Sequence, residues 1–125
     1  MSTPDPAVID EIRASSRRMV RELGFMRPTL AASPYPPSAV HALVELGARG
    51  TMSAVEVARL LRLDKSSVSR LLRKLVDAGE LRESPSREDA RVKQLALTRQ
   101  GRRTLAAIES HARGQVAAAL GRLAP

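Results

Sequence analysis

The 125-residue chain contains no cysteine and no tryptophan, and its aromatic side chains other than histidine are Phe25 and Tyr35. Without cysteine, a disulfide framework, a thiolate metal site and a cysteine redox sensor are all excluded. The near absence of aromatic rings disfavours recognition of single-stranded RNA or DNA, because unpaired bases are bound largely by stacking on such rings.

Long apolar runs are also missing. No stretch approaches the roughly 18 apolar residues of a membrane-spanning helix, and the N-terminus MSTPDPAVIDEI lacks the cationic start and apolar core of a signal peptide. We therefore expect a cytoplasmic protein without a membrane partner. The length favours a single domain over 1–125 with one modest core.

Candidates for catalysis or metal binding are few. His41 and His111 have no third ligand at a recognisable spacing, which favours ordinary packed or surface histidines over a metal site. Three serines, Ser66, Ser67 and Ser69, stand together without a nearby histidine, so helix capping and phosphate contact outweigh use as a nucleophile. The sequence therefore predicts no enzyme activity and no cofactor.

Positive charge is plentiful and unevenly placed. The formal net charge is +8, and residues 49–103 hold fourteen basic and seven acidic residues, which accounts for +7 of it. A basic middle segment is typical of a surface that binds a polyanion, although a merely solvated arginine-rich face would look the same by charge alone.

Apolar residues at helical spacing predict helices over 6–24, 37–48, 53–62 and 98–123. Asp5 before Pro6 and Thr98 are suitable N-terminal caps, and Ser53 with Glu56 forms the capping-box pattern. Pro34, Pro36 and Pro37 interrupt helix formation, so 27–37 is predicted to be a linker.

A fourth helix is predicted over 65–77, capped by Asp64 after a three-residue break at 62–64. On a helical wheel, Val68, Leu71, Leu72 and Leu75 gather on one face. The opposite face carries Ser66, Arg70 and Arg73, with Ser69 and Lys74 at its margins. Two short helices separated by so brief a break predict a helix-turn-helix whose second helix reads the major groove.

After Gly79 the spacing of apolar residues changes from the helical period to a period of two. This change predicts an antiparallel hairpin of strands 80–84 and 92–97. Its charged loop SPSREDAR would project Arg87, Arg91 and Lys93, and a loop arginine such as Arg91 can enter the minor groove. Asp89 is unusual beside phosphate, so its predicted role is to hydrogen-bond backbone amides or an arginine and fix the loop.

Together these elements resemble the MarR family of bacterial winged-helix transcription regulators. The resemblance is tightest over 53–102, in SAVEVARLLRLDKSSVSRLLRKLVDAGEL, the Asp89-x-Arg91 pattern, Leu97-Thr98 and Gly101. It implies a mainly α fold, a winged helix-turn-helix (37–98) with a two-stranded β wing between long N- and C-terminal helices. It also implies a homodimer formed by helices 6–24 and 98–123, with two recognition helices in successive major grooves of double-stranded DNA.

Many members of that family are repressors released by small aromatic or phenolic ligands. The resemblance thus implies a sequence-specific, ligand-responsive repressor acting on a pseudo-palindromic operator. The alternative is a regulatory or interaction module of a longer polypeptide such as an acetyltransferase fusion, because resembling proteins usually end in two helices and one is predicted here.

The site residues expected from pattern and resemblance fall into three groups. Contacts to DNA are predicted for Ser53, Lys65, Ser66, Ser67, Ser69, Arg70, Arg73, Lys74, Arg87, Asp89, Arg91 and Lys93. An effector pocket, or else simply a small sealed core, is predicted at Phe25, Met26, Leu30, Tyr35 and His41. Dimer contacts are predicted for Ile9, Ile12, Met19, Leu105, Ile108, Val116 and Leu120.

Overall fold

The structure, a computed structural model, describes residues 3–23 and 33–123. Within these residues, five helices and one hairpin follow in the order α1 (Pro6–Glu22), α2 (Pro37–Arg49), α3 (Ala54–Leu61), α4 (Lys65–Asp77), β1 (Leu81–Pro85), β2 (Lys93–Leu97) and α5 (Arg99–Leu123). The predicted fold class, mainly α with a two-stranded wing, is confirmed. We call β1, β2 and the loop between them the wing.

Helix ends lie within two residues of the predicted ones because the capping residues act as expected. The Asp5 carboxylate accepts a hydrogen bond from the Ala7 amide at 2.9 Å, and Thr98 Oγ1 accepts one from the Gly101 amide at 3.0 Å. The first helix was predicted to reach residue 24 but ends at Glu22 with Leu23 as its C-cap. Both strands begin one residue later than predicted.

One core joins α2, α3, α4, the wing and the first half of α5. Apolar side chains on the inner faces of these elements are almost fully buried, and the core comprises Ala39, Val40, Ala42, Leu43, Leu46, Met52, Val57, Ala58, Val68, Leu72, Leu75, Leu81, Leu95, Leu97, Leu105 and Ile108. Burial of apolar surface is the main favourable contribution to folding, so this core fixes α4 against the wing.

The wing is antiparallel, with Leu81 opposite Leu97 and Pro85 opposite Lys93. Met52, just before α3, extends the sheet by one residue on the other side of β2. Its amide donates to the Leu95 carbonyl at 3.1 Å, and the Leu95 amide donates back at 2.8 Å. The wing is thereby tied to the start of the helix-turn-helix, a connection that the sequence pattern did not predict.

A buried carboxylate joins three parts of the fold. Glu80 is 1% exposed and accepts hydrogen bonds from Gln100 Nε2 and Thr104 Oγ1, both at 2.9 Å. Besides burial, the carboxylate also raises the pKa of the nearby Tyr35 phenol. Glu80 therefore connects the segment before α2, the start of the wing and α5.

The long terminal helices differ in how they use their apolar residues. No residue within α1 is buried, and Ile9, Ile12 and Met19 are exposed, as are Val116 and Leu120 near the end of α5. Leu105 and Ile108, by contrast, belong to the core of the chain itself. The prediction that these two side chains contact a partner subunit is therefore corrected, because a core residue has no free surface to offer. Within the described residues, no helix combines the length and apolar character needed to span a membrane.

Candidate nucleic-acid interface

Helix α4 has the two faces that the helical wheel predicts. Val68, Leu72 and Leu75 are buried against the core, at 0%, 3% and 1% exposure. On the other side Ser66, Arg70 and Arg73 are exposed to solvent. We call these three residues the recognition face. A row of hydroxyl and guanidinium groups on one side of a helix is suited to donate hydrogen bonds to base edges and phosphates in a major groove.

The turn before α4 is held by Asp64. Its carboxylate accepts a hydrogen bond from the Ser67 amide at 2.9 Å and another from the Ser67 hydroxyl at 2.6 Å. These bonds, the hydroxyl first, hold the pKa of Asp64 below its usual range. Ser67 Oγ in turn lies 3.5 Å from Arg70 Nη2, from which it accepts a hydrogen bond. The cap and the recognition face therefore form one connected unit.

Ser53 caps the start of α3. It is 8% exposed, and its hydroxyl accepts a hydrogen bond from the Glu56 amide at 3.2 Å, while Glu56 Oε1 accepts one from the Ser53 amide at 3.4 Å. The predicted capping box is confirmed. The Ser53 hydroxyl is engaged in this helix cap, and a contact of Ser53 with DNA stays a prediction.

The wing loop is shaped by Asp89, as predicted. Its Oδ1 accepts hydrogen bonds from the amide and Nε of Arg91, both at 3.0 Å, and its Oδ2 accepts one from Arg91 Nη2 at 3.1 Å. The Arg91 side chain lowers the pKa of Asp89 most, followed by the Arg91 amide. The carboxylate raises the pKa of Arg91 in return. A further bond, from the Ser86 amide to the Val92 carbonyl at 2.8 Å, closes the loop.

Between α4 and the wing lies a cleft of about 360 Å³, which we call the wing cleft. Six of the residues predicted to contact DNA line it, namely Ser53, Lys65, Ser69, Arg73, Arg91 and Lys93. Four of these side chains are cations, and Glu83 is the one carboxylate among the lining residues. Ser66, Arg70, Lys74 and Arg87 lie outside the cleft lining and are exposed. The arrangement gives one positively charged surface across helix and wing.

The sequence pattern does not mark Glu83 as a site residue. It lies on β1 opposite Leu95, and its Oε1 is 3.1 Å from Nη2 of Arg73 on α4. The ion pair joins residues that are ten positions apart in sequence and lie on two different elements. A short-range pattern does not signal such a contact, because it depends on how α4 packs against the wing.

The predicted effector pocket falls partly outside the described residues, since Phe25, Met26 and Leu30 belong to 24–32. Tyr35 is half-buried, whereas His41 is exposed on α2. Burial, and then Glu80, raise the pKa of Tyr35. Among the residues that the structure covers, no three His, Asp or Glu side chains gather in a way that could hold a metal ion.

Comparison with known proteins gives a family match over part of the chain, and a fold. A family model described as MarR family matches residues 33–92. No curated protein matches the chain. Among solved structures, Rv1404 from Mycobacterium tuberculosis is 22% identical with a TM-score of 0.80, covering 98% of this chain and 84% of that one.

Two further structures share the fold at similar distance. The transcriptional regulator BldR from Sulfolobus solfataricus is 19% identical with a TM-score of 0.73, covering 92% of this chain and 81% of its own. A mutant of MarR from E. coli is 17% identical with a TM-score of 0.74, covering 100% of this chain and 88% of that one. At these identities the likeness establishes the winged-helix architecture.

Proposed function

The MarR family model matches residues 33–92, the helix-turn-helix part of the chain, and on that premise we propose that the chain is a DNA-binding transcriptional regulator that recognises a specific double-stranded sequence as a homodimer. The observation that carries the proposal is the continuous positive surface formed by the recognition face, Lys65 and the wing residues Arg91 and Lys93. No catalytic activity and no cofactor are proposed.

Each part of the surface has its own task. Arg70 and Arg73 are placed to donate hydrogen bonds to base edges, with guanine as the preferred partner of an arginine. Arg91, held by Asp89, is placed at the exposed wing to enter the minor groove. Lys65 and Lys93 supply charge for phosphates, which gives affinity without sequence information.

A second copy of the chain would cover the exposed apolar residues of the terminal helices. Ile12 on α1 is 60% exposed and Leu120 on α5 is 62% exposed, and both lie among further exposed apolar neighbours. Contiguous apolar surface on a protein marks an interaction site. Pairing of α1 and α5 between two copies would give a two-fold axis, and the bound site would then be a pseudo-palindrome. Action as a repressor and release by a small aromatic or phenolic effector remain predictions from the family.

Competition binding at a fixed, stated salt concentration tests the proposal. The probes are a duplex enriched by the wild-type protein from a randomised library and a shuffled duplex of equal composition. We expect Arg70→Ala to lose roughly 1–3 kcal/mol on the enriched duplex and little on the shuffled one, as direct readout requires. Arg91→Ala should weaken binding to both duplexes. It should also reduce the dependence of affinity on salt concentration by about the contribution of one phosphate contact.

Arg49→Ala on α2 is the matched control, because its exposed guanidinium pairs with Glu45 at 3.1 Å and belongs neither to the proposed DNA-binding surface nor to the helices proposed to pair in the dimer. It should leave the preference between the two duplexes intact. A wild-type protein that bound both duplexes equally at every salt concentration would remove the proposed sequence-specific function.

A further inference from the structure

Among the carboxylates near the recognition face, Glu83 makes a different kind of contact from its neighbours. Asp64 caps its own helix, and Asp89 bonds the amide and guanidinium of a residue two positions away. Glu83 reaches from β1 across to α4, where it contacts Arg73. Its charge therefore acts between the wing and the recognition helix rather than within one loop.

The sheet places Glu83 toward α4. Glu83 lies two residues after Leu81, which is buried, and successive side chains of a strand alternate between the two faces. Leu95, its partner in the register, is also buried and lines the wing cleft. The Glu83 side chain is 30% exposed and that of Arg73 is 60% exposed. The carboxylate is thus partly shielded while the guanidinium remains open to a ligand.

Such a pair has two effects on a bound polyanion. The first concerns Arg73, whose guanidinium has five N–H donors. A contact through Nη2 fixes the direction of the group while leaving other donors for a base edge, so less conformational freedom is lost on binding. The second effect is repulsion, because a carboxylate beside the cleft disfavours any docking that brings a phosphate close to it.

We propose that Glu83 is a specificity-determining positioning residue, which orients Arg73 for base readout and penalises DNA that docks without satisfying Arg73. The inference rests on the proposed DNA-binding function and deepens it. Glu83 itself makes no favourable contact with DNA in this account. A correctly placed base takes up the free donors of Arg73, whereas a random duplex meets the carboxylate without that compensation.

The test measures the dissociation constants of the enriched and shuffled duplexes for Glu83→Gln and Glu83→Asp. Glu83→Gln removes the charge at almost constant shape. We expect affinity for the shuffled duplex to rise about two- to fivefold with little gain on the enriched one, the range expected for one exposed charge interaction. Glu83→Asp keeps the charge but shortens the reach. It should leave shuffled binding unchanged and weaken enriched binding by a similar factor.

Two further variants separate orientation from bulk charge. In an Arg73→Ala background, Glu83→Gln should change binding to both duplexes by the same factor, because there is no guanidinium left to orient. Glu45→Gln is the charge-matched control, since it also breaks a carboxylate–arginine pair of similar exposure but lies on α2. It should change the dissociation constants of both duplexes by the same factor. Thermal unfolding of every variant confirms that the fold is retained.

The outcomes are distinguishable. If the wild-type protein fails to prefer the enriched duplex, the proposed function and this inference both fail. If the wild type is selective and Glu83→Gln keeps the same ratio of the two dissociation constants, or changes it no more than Glu45→Gln does, the inference alone is overturned. It is also overturned if Arg73→Ala weakens both duplexes equally, because Arg73 would then carry no sequence information for Glu83 to control.

Discussion

Asp89 and Arg91 bind each other through both the side chain and the backbone. Two side-chain bonds at 3.0 and 3.1 Å join the carboxylate to the guanidinium, and the Arg91 amide donates to the same carboxylate at 3.0 Å. The carboxylate thus fixes the loop and aims the arginine at once. This gives Asp89 a structural role in the wing loop, between Arg87 and Arg91.

Replacing Asp89 tests that relationship. Asp89→Asn removes a negative charge from the proposed DNA-facing surface, so charge alone would strengthen binding. We expect the reverse, a loss of about two- to fivefold on the enriched duplex, because Arg91 is no longer aimed. Glu88→Gln, a neighbouring change of equal charge, should not weaken binding. Tighter binding by Asp89→Asn than by Glu88→Gln would contradict the account of the loop.

Gly101 is required by the close approach of α5 to the wing. A Cβ built at Gly101 would collide with the backbone carbonyl oxygen of Glu80, which cannot swing aside as a side chain can. We expect Gly101→Ala to lower the free energy of unfolding by about 1–3 kcal/mol or more. In the same helix Gly114 has open space around it, so Gly114→Ala should raise stability by about 0.5–1 kcal/mol. Urea unfolding at one fixed protein concentration measures the unfolding free energy of both variants. Equal changes for Gly101→Ala and Gly114→Ala would refute the close approach at Gly101.

The buried carboxylate of Glu80 requires its donors. Thr104→Val keeps the side-chain shape but removes the hydroxyl that donates to Glu80 at 2.9 Å. Loss of a hydrogen bond to a buried carboxylate should cost about 1–3 kcal/mol of unfolding free energy. Thr51→Val, at an exposed position, is the matched control and should stay within about 0.5 kcal/mol of wild type. A Thr104→Val protein as stable as this control would show that the network contributes little.

Tyr35 offers a direct reading of the same network, because it is the one tyrosine of the chain and no tryptophan is present. Burial raises its pKa, and the Glu80 carboxylate raises the pKa further. The protonated phenol therefore contributes stability that is fully present below about pH 10, the unfolded pKa, and is lost as pH rises through the folded pKa. Near-ultraviolet absorbance of the phenolate should show a midpoint above the ordinary tyrosine value. A midpoint at or below it would contradict the environment described for Tyr35.

Alkaline unfolding supplies the companion measurement. Tyr35→Phe lacks the titrating group, so its stability should fall less steeply than that of wild type as pH rises between the unfolded and folded pKa of tyrosine. The comparison is made at one protein concentration, because dimer formation would make apparent stability depend on it. Parallel curves for the two proteins would show that Tyr35 titrates alike in both states.

Much of the fold follows from local sequence signals. Asp5, Ser53, Asp64 and Thr98 each end in a short polar group that satisfies free amides at a helix start, and each does so in the structure. Such signals depend on residues two or three positions apart. They therefore predict where the helices begin without knowledge of packing. The spacing of Val68, Leu72 and Leu75 at the helical period predicts the exposed face of α4 in the same local way.

Contacts between distant residues could not be predicted in this way. Glu80 begins the predicted strand 80–84, but nothing in that pattern indicates that its carboxylate is buried, and its donors Gln100 and Thr104 lie far away in sequence. The Arg73–Glu83 pair and the Met52–Leu95 bridge likewise depend on how elements pack. Periodicity also marked Leu105 and Ile108 as apolar without revealing that they would pack in the chain's own core.

The most direct test of the central claim is hydroxyl-radical footprinting of the wild-type protein on the duplex that it enriches from a randomised library. A homodimer with two recognition helices should give a two-fold symmetric pattern, with two protected half-sites whose centres lie about 10 base pairs apart and flanking minor-groove protection from the wings. Uniform protection along the duplex, or failure to enrich any sequence, would contradict it.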